Sequence, residues 1–100
     1  MSKYRNVKVG QYASKREAKR ALELKLLERS GKISALREQV RYEIIPKCGK
    51  ERAAYYVADF VYMDEAWNLH VEDVKGVKTA AYILKRKLML HVHGIEIEEV

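Results

Sequence analysis

Two carboxylates and a lysine stand at spacings that could do chemistry. Asp59 lies inside the otherwise apolar run Tyr55-Tyr56-Val57-Ala58-Asp59-Phe60-Val61. A charge there is costly unless it is paired or holds a cation. Further along comes Val71-Glu72-Asp73-Val74-Lys75-Gly76. Strand side chains alternate with period two, so Asp73 and Lys75 share one face, and Glu72 and Val74 the other. A hairpin can bring Asp59 beside Asp73. Adjacent carboxylates repel, and a hard divalent cation such as Mg²⁺ removes that penalty. Such an ion polarises a phosphate oxygen and acidifies a bound water. Lys75 would orient or deprotonate that water, or stabilise charge developing on the phosphate. Phosphodiester hydrolysis uses this set of parts. A cross-strand Asp–Lys ion pair near a strand end is the plainer alternative, and the residues alone leave both readings open. Glu17 is a candidate third carboxylate. It also completes Ser14-Lys15-Arg16-Glu17, a capping box, and the two roles are compatible.

These side chains need elements to carry them. The capping box predicts a helix from Lys15 to Arg29, stopped at Ser30-Gly31. Val40 to Ile45 is rich in strand formers and ends before Pro46, and Lys47-Cys48-Gly49-Lys50-Glu51 reads as a hairpin turn. Ala53 to Tyr62 is the second strand. After a turn at Asp64-Glu65-Ala66-Trp67-Asn68, Leu69 to Lys75 is the third. A second helix is expected from Lys78 to His91, with Ala81, Leu84 and Leu88 on one face. Gly94 breaks it, and Ile95 to Val100 reads as a last strand. The order is α-β-β-β-α-β. That predicts an α/β (α+β) fold, with a mixed four-stranded sheet flanked by helices.

At 100 residues the chain is long enough for one modest domain. Residues 1–12 form a basic arm, in which Lys3, Arg5 and Lys8 interleave with Tyr4, Asn6 and Tyr12; residues 13–100 form the domain. The formal charge of +6 and a pI near 9.5 favour a polyanionic partner, nucleic acid above all. Lys78, Lys85, Arg86 and Lys87 are a second basic group that could contact phosphates, or simply be a solvated helix face. No apolar run approaches the roughly 20 residues needed to span a bilayer, so no membrane association is expected. The first residues lack the apolar stretch of a secretory signal. Cys48 is the one cysteine, which fits a reducing, cytoplasmic setting. His91 and His93 lack a partnering ligand motif and read as helix-end residues. Tyr4 and Tyr12 are the best candidates for stacking on bases. Trp67, in a polar turn, could pack on the sheet or meet a partner.

The Asp59 … Asp73-Val74-Lys75 pattern resembles the PD-(D/E)XK nuclease signature, with Ala58 in place of its proline. More closely, the chain resembles a family of short phage and prophage proteins, often described as of unknown function or as resolvase-like endonucleases. Four stretches carry the likeness: Lys3-Tyr4-Arg5-Asn6, Ser14-Lys15-Arg16-Glu17-Ala18-Lys19-Arg20, Tyr56-Val57-Ala58-Asp59-Phe60-Val61-Tyr62, and Val71-Glu72-Asp73-Val74-Lys75-Gly76. Lys78-Thr79 and the cluster Lys85-Arg86-Lys87 follow the last. The segment between Lys8 and Ser14 is shorter than in those relatives. The resemblance implies a restriction-endonuclease-like αβββαβ core, dependence on Mg²⁺ or Mn²⁺, and cleavage of DNA, branched or four-way-junction DNA included, in phage recombination or replication. It implies that Asp59 and Asp73 hold the metal, that Lys75 is the catalytic lysine, and that Glu17 is the helix carboxylate. Paired cuts in a junction imply a homodimer, and a phage or prophage protein works in the cytoplasm of its bacterial host. The alternatives are a DNA-binding module that keeps the fold without the chemistry, and a small assembly protein whose charges only confer solubility.

Overall fold

The computed structural model describes residues 10–74 and 76–100. Lys3, Arg5 and Lys8 of the arm, with Tyr4 and Asn6, lie outside the described residues, as does Lys75. Helix α1 spans Lys15–Arg29, strands β1 Ile33–Ile45, β2 Ala54–Asp64 and β3 Leu69–Asp73, helix α2 Ala80–His93, and strand β4 Glu98–Glu99. The fold is α+β, with a mixed sheet in the order β1-β2-β3-β4. β1, β2 and β3 form an antiparallel meander, and β4 joins β3 in parallel. A parallel neighbour needs a crossover, and α2 supplies it. Among the described residues no helix is long and apolar enough to cross a membrane.

Local chemistry sets the helix ends. The Ser14 hydroxyl accepts from the Glu17 amide at 3.1 Å, which satisfies an otherwise orphaned donor of α1. Thr79 does the same for the Tyr82 amide of α2, also at 3.1 Å. α2 runs to His93, past the expected stop, and ends where Gly94 takes a left-handed φ of 66°.

The consecutive residues Phe60 and Val61 face opposite sides of β2, and each side has its own core. Phe60 packs with Ala21 and Leu24 of α1, Ile33 and Tyr62. Val61 packs with Val71, Tyr82 and Met89 of α2, and Ile97. Glu72, 1% exposed, lies on the α1 side. Arg20 grips it with Nε at 2.8 Å and Nη2 at 2.6 Å, and the Tyr62 hydroxyl donates to it as well. That network ties α1 to β3.

β2 runs on to Asp64 rather than ending at Tyr62, β3 ends at Asp73 rather than Lys75, and α2 starts at Ala80 rather than Lys78. Two further strand boundaries differ more. β1 begins at Ile33 rather than Val40. Its first half, Ser34-Ala35-Leu36-Arg37-Glu38-Gln39, is poor in strand formers, and Ala35 and Gln39 both take φ of 54°. The segment is a strand because β2 offers it partners, with a bulge between the Ser34 and Arg37 pairings. β4 is only Glu98–Glu99, because Ile95, Glu96 and the buried Ile97 are spent on the return from α2.

Candidate functional site

A cleft of about 560 Å³ opens where β2 and β3 part. Glu17, Asp59 and Asp73 line it, together with both helix caps, Ser14 and Thr79. Each helix therefore starts at this cleft, and helix N-termini favour negative charge such as a phosphate.

The sheet register brings the acids together. Phe60 pairs with Glu72, so one step further Asp59 stands opposite Asp73. On the other edge of β2, Glu38 pairs with Phe60 and Val40 with Ala58, which sets Gln39 opposite Asp59. Asp59 Oδ2 accepts from the Val74 amide at 2.8 Å, just where β3 ends. Gln39 Nε2 donates to Asp59 Oδ1 and to Glu17 Oε2, both at 3.2 Å. The Tyr56 hydroxyl donates to Asp73 Oδ2 at 2.5 Å. Glu17 and Asp73 are buried, and Asp59 is half-buried.

The electrostatics follow from this crowding. The Glu17 carboxyl is pushed above its ordinary value, first by burial and then by the charges of Asp59, Glu38 and Asp73. Burial pushes the Tyr56 hydroxyl up, and its bond to Asp73 adds to that, so Tyr56 stays a proton donor. Of the two compatible roles expected for Glu17, the cap uses its amide and leaves its carboxylate to Gln39 and the cleft.

A groove lined by Tyr56, Val57, Asp73, Thr79, Tyr82 and Lys85 adjoins the cleft, and the two share Val57, Asp73 and Thr79. Lys85 therefore lines the groove that opens beside Asp73. Lys78 and Arg86 are engaged elsewhere, with Glu99 at 2.9 Å and 3.0 Å. Tyr82 also donates to Glu99, and these three partners hold that carboxyl down at about 2. Lys87 is exposed and opens on a different hollow, with Leu90 and Glu96. His93 Nε2 meets the Glu43 carbonyl at 2.7 Å, a helix-end role as expected, and His91 is exposed. Tyr12 packs under α1 and its hydroxyl accepts from Lys25, so it does not stand free for bases. Trp67, 75% exposed, lies in a separate hollow with Lys32 and Glu65.

As donors, three carboxylates around one cleft suit a hard divalent cation. Their spacing is not that of a closed ligand shell: among the described residues no group of three or more His, Cys, Asp or Glu is placed to hold a metal ion. Mg²⁺, however, is commonly bound through one or two carboxylates and keeps several waters. The register-opposed Asp59 and Asp73 meet that smaller requirement.

A family described as "Protein of unknown function (DUF1064)" matches residues 1–97. The chain belongs to this family. No curated protein and no solved structure matches it. For a DUF1064 member, then, the site has to be read from its own residues. Two of them, Gln39 and Tyr56, escaped the sequence reading. Tyr56 resembles any other strand tyrosine. Gln39 precedes the strand-rich run and carries no charge, and only the pairing of β1 with β2 reveals that it faces Asp59.

Proposed function

We propose that this DUF1064 protein is a metal-dependent endonuclease that hydrolyses DNA phosphodiester bonds, with Asp59 and Asp73 as the residues that would hold Mg²⁺ or Mn²⁺. The observation that carries this reading is the row Gln39–Asp59–Asp73 across adjacent strands, with Glu17 facing it over one cleft. A bound divalent ion would polarise the phosphate and lower the pKa of an attacking water. Asp59 is oriented by the Val74 amide and Asp73 by the Tyr56 hydroxyl, so each presents its carboxylate in a fixed direction. Glu17 contributes a third carboxylate that Gln39 links to Asp59. The helix N-termini at Ser14 and Thr79, with Lys85, favour the phosphate anion. Lys75, by its place two residues after Asp73, serves as the residue that orients the attacking water or takes its proton. Water adds to phosphorus, the phosphorus–oxygen ester bond breaks, and the departing oxygen receives the proton.

The substrate we propose is DNA inside a bacterial cell, branched or four-way-junction forms included, and paired cuts at a junction would be made by a homodimer. The decisive test is cleavage of duplex, flap, single-stranded and four-way-junction DNA, with Mg²⁺, with Mn²⁺ and with chelator. Metal-dependent cutting of any of these supports the reading. Binding to DNA in chelator, with no cutting in either metal, would replace it with a DNA-binding module.

A further inference from the structure

From residue 36 to residue 44, β1 alternates strictly between half-buried or buried positions and exposed ones. Beyond Gln39 its exposed face carries Arg41 and Glu43, and Gln39 itself joins that face through its bonds to Glu17 and Asp59. The register sets Val57 opposite Arg41 and Tyr55 opposite Glu43 on β2, and both are exposed, at 42% and 37%. This open face begins at the active-site row, since Gln39 touches Glu17 and Asp59, and Val57 lines the carboxylate cleft. It then runs outward to the hairpin tip, where Lys47, Lys50 and Arg52 are exposed.

Two properties separate this face from an ordinary solvated strand. First, its cations are unspent. Among the described residues Arg41, Lys47, Lys50 and Arg52 form no ion pair, whereas Lys78 and Arg86 are both held by Glu99. Second, the Arg41 guanidinium lies over the Tyr55 ring, 4.1 Å from its centroid. A planar cation stacked on an exposed aromatic offers a flat surface for a base and a forked donor for a phosphate. Charges that merely guard an edge strand would account for the arginines, but not for an aromatic platform on the face that leads to the acids.

We infer that the open face of the β1–β2 hairpin is a DNA-binding surface that leads a strand into the carboxylate cleft, with Arg41 and Tyr55 as its central contacts. The inference deepens the endonuclease reading and rests on its choice of DNA. From Asp59 to Tyr55 the strand advances about 13 Å at the usual rise per residue, room for about two nucleotides beside the cleft. Phosphates meet Arg41 and the tip cations, and a base stacks on the Arg41–Tyr55 pair.

The test is fluorescence anisotropy with a labelled DNA oligonucleotide in chelator, using the full chain. Arg41→Ala and Tyr55→Leu should each weaken binding about ten-fold. Arg41→Ala should also flatten the dependence of log affinity on log salt by about 0.7–0.9, the signature of one lost phosphate contact, while Tyr55→Leu leaves that slope alone. Arg29→Ala, an equal loss of charge at the far end of α1, should change affinity less than two-fold. Circular dichroism confirms that each variant is folded, and Arg41→Lys, which keeps the charge without the planar stack, stands in for any that is not. Parental affinity in both hairpin variants, or a parent that does not bind DNA, overturns the inference. The two readings fail separately. Cleavage lost in Asp73→Ala but full binding by the hairpin variants removes only the surface. Binding that depends on Arg41, with no cleavage in Mg²⁺ or Mn²⁺, removes only the nuclease.

Discussion

Asp59 and Asp73 differ in how they are held, and that difference sets what each substitution should do. Asp73 is buried under the Tyr56 hydroxyl, while Asp59 is pinned by the Val74 backbone amide, a donor that only a proline at position 74 would remove. On the proposed endonuclease reading, Asp73→Ala should abolish cleavage outright. Tyr56→Phe keeps the carboxylate but frees its direction, so cleavage should fall roughly 10- to 100-fold, the usual cost of losing a partner of a metal ligand. Single-turnover cleavage measures both, and an Asp73→Ala protein that cuts like the parent would end the assignment. Glu17 offers a second test. Burial and two facing aspartates make its charge unfavourable without a cation. Glu17→Gln should therefore raise the melting temperature of the metal-free protein. It should also shrink the rise produced by millimolar Mg²⁺, because the cation then has less charge to neutralise. Thermal melts of parent and variant, with and without Mg²⁺, check both parts. Asp59, Asp73 and Glu17 were legible in the sequence because a carboxylate in an apolar run or behind a cap is conspicuous. Gln39 was not, because a neutral side chain shows its importance only through the neighbours that folding gives it.

The elements hold these residues through polar ties as much as through apolar packing. The charge of Glu72 is buried, and Arg20 compensates it with a bidentate grip from α1. Arg20→Ala would strip that buried carboxylate of its cation and leave it the Tyr62 hydroxyl, and should cost about 3 kcal/mol, as broken buried pairs do. Because α1 carries Glu17, the same change should lower activity; urea unfolding and cleavage measured on one preparation test the pair. A second tie joins β3 to its neighbours. His70 stands between Asp64 at 2.8 Å and Glu98 at 2.7 Å, stacked on Tyr62. Its pKa is raised above the ordinary 6.5, chiefly by Asp64, and Asp64 in turn is held down at about 2, chiefly by His70. The signs follow. The histidine's contribution is complete below about pH 6.5 and is lost as pH rises through its folded pKa. The aspartate's contribution is complete above about pH 4 and is lost as pH falls towards 2. Stability should therefore decline on going from pH 6 to pH 9, and His70→Gln should flatten that decline; melts across the range decide it. The long, well-capped α1 and the aromatic β2 were readable because local chemistry specifies them. The first half of β1 and the brevity of β4 were not, since one exists only through pairing with β2 and the other is limited by the residues needed to return from α2.

At the scale of the whole molecule, the geometry limits what one copy can do. Among the described residues there is one carboxylate cleft, so on the proposed endonuclease reading a single copy would make one cut per encounter. A four-way junction presents strands related by approximate two-fold symmetry, and paired cuts there need two clefts with the same relation, which a two-fold dimer supplies. Of Tyr12, Tyr42 and Trp67, aromatic side chains of the kind such a contact would bury, the structure turns two inward. Tyr12 packs beneath α1, and Tyr42 packs at the α2 core beside His93. Trp67 remains, 75% exposed on the turn between β2 and β3, and on the outer face of α1 Leu22 and Leu26 are exposed at 61% and 53%. Leu22 and Leu26 lie one helical turn apart and form an apolar stripe. The stripe is small, and standard stable interfaces bury roughly 800 Å² per partner. DNA should therefore supply much of the association energy. We expect the chain to be largely monomeric alone at micromolar concentration and to carry two copies on each four-way junction. Leu22→Glu or Trp67→Ala should reduce the two-copy complex while leaving single nicks intact. Light scattering with and without junction DNA, alongside a supercoiled cruciform assay that separates nicked from linear product, measures both. One chain per junction, with nicked product only, would rule out paired resolution and leave an enzyme that cuts one strand at a time.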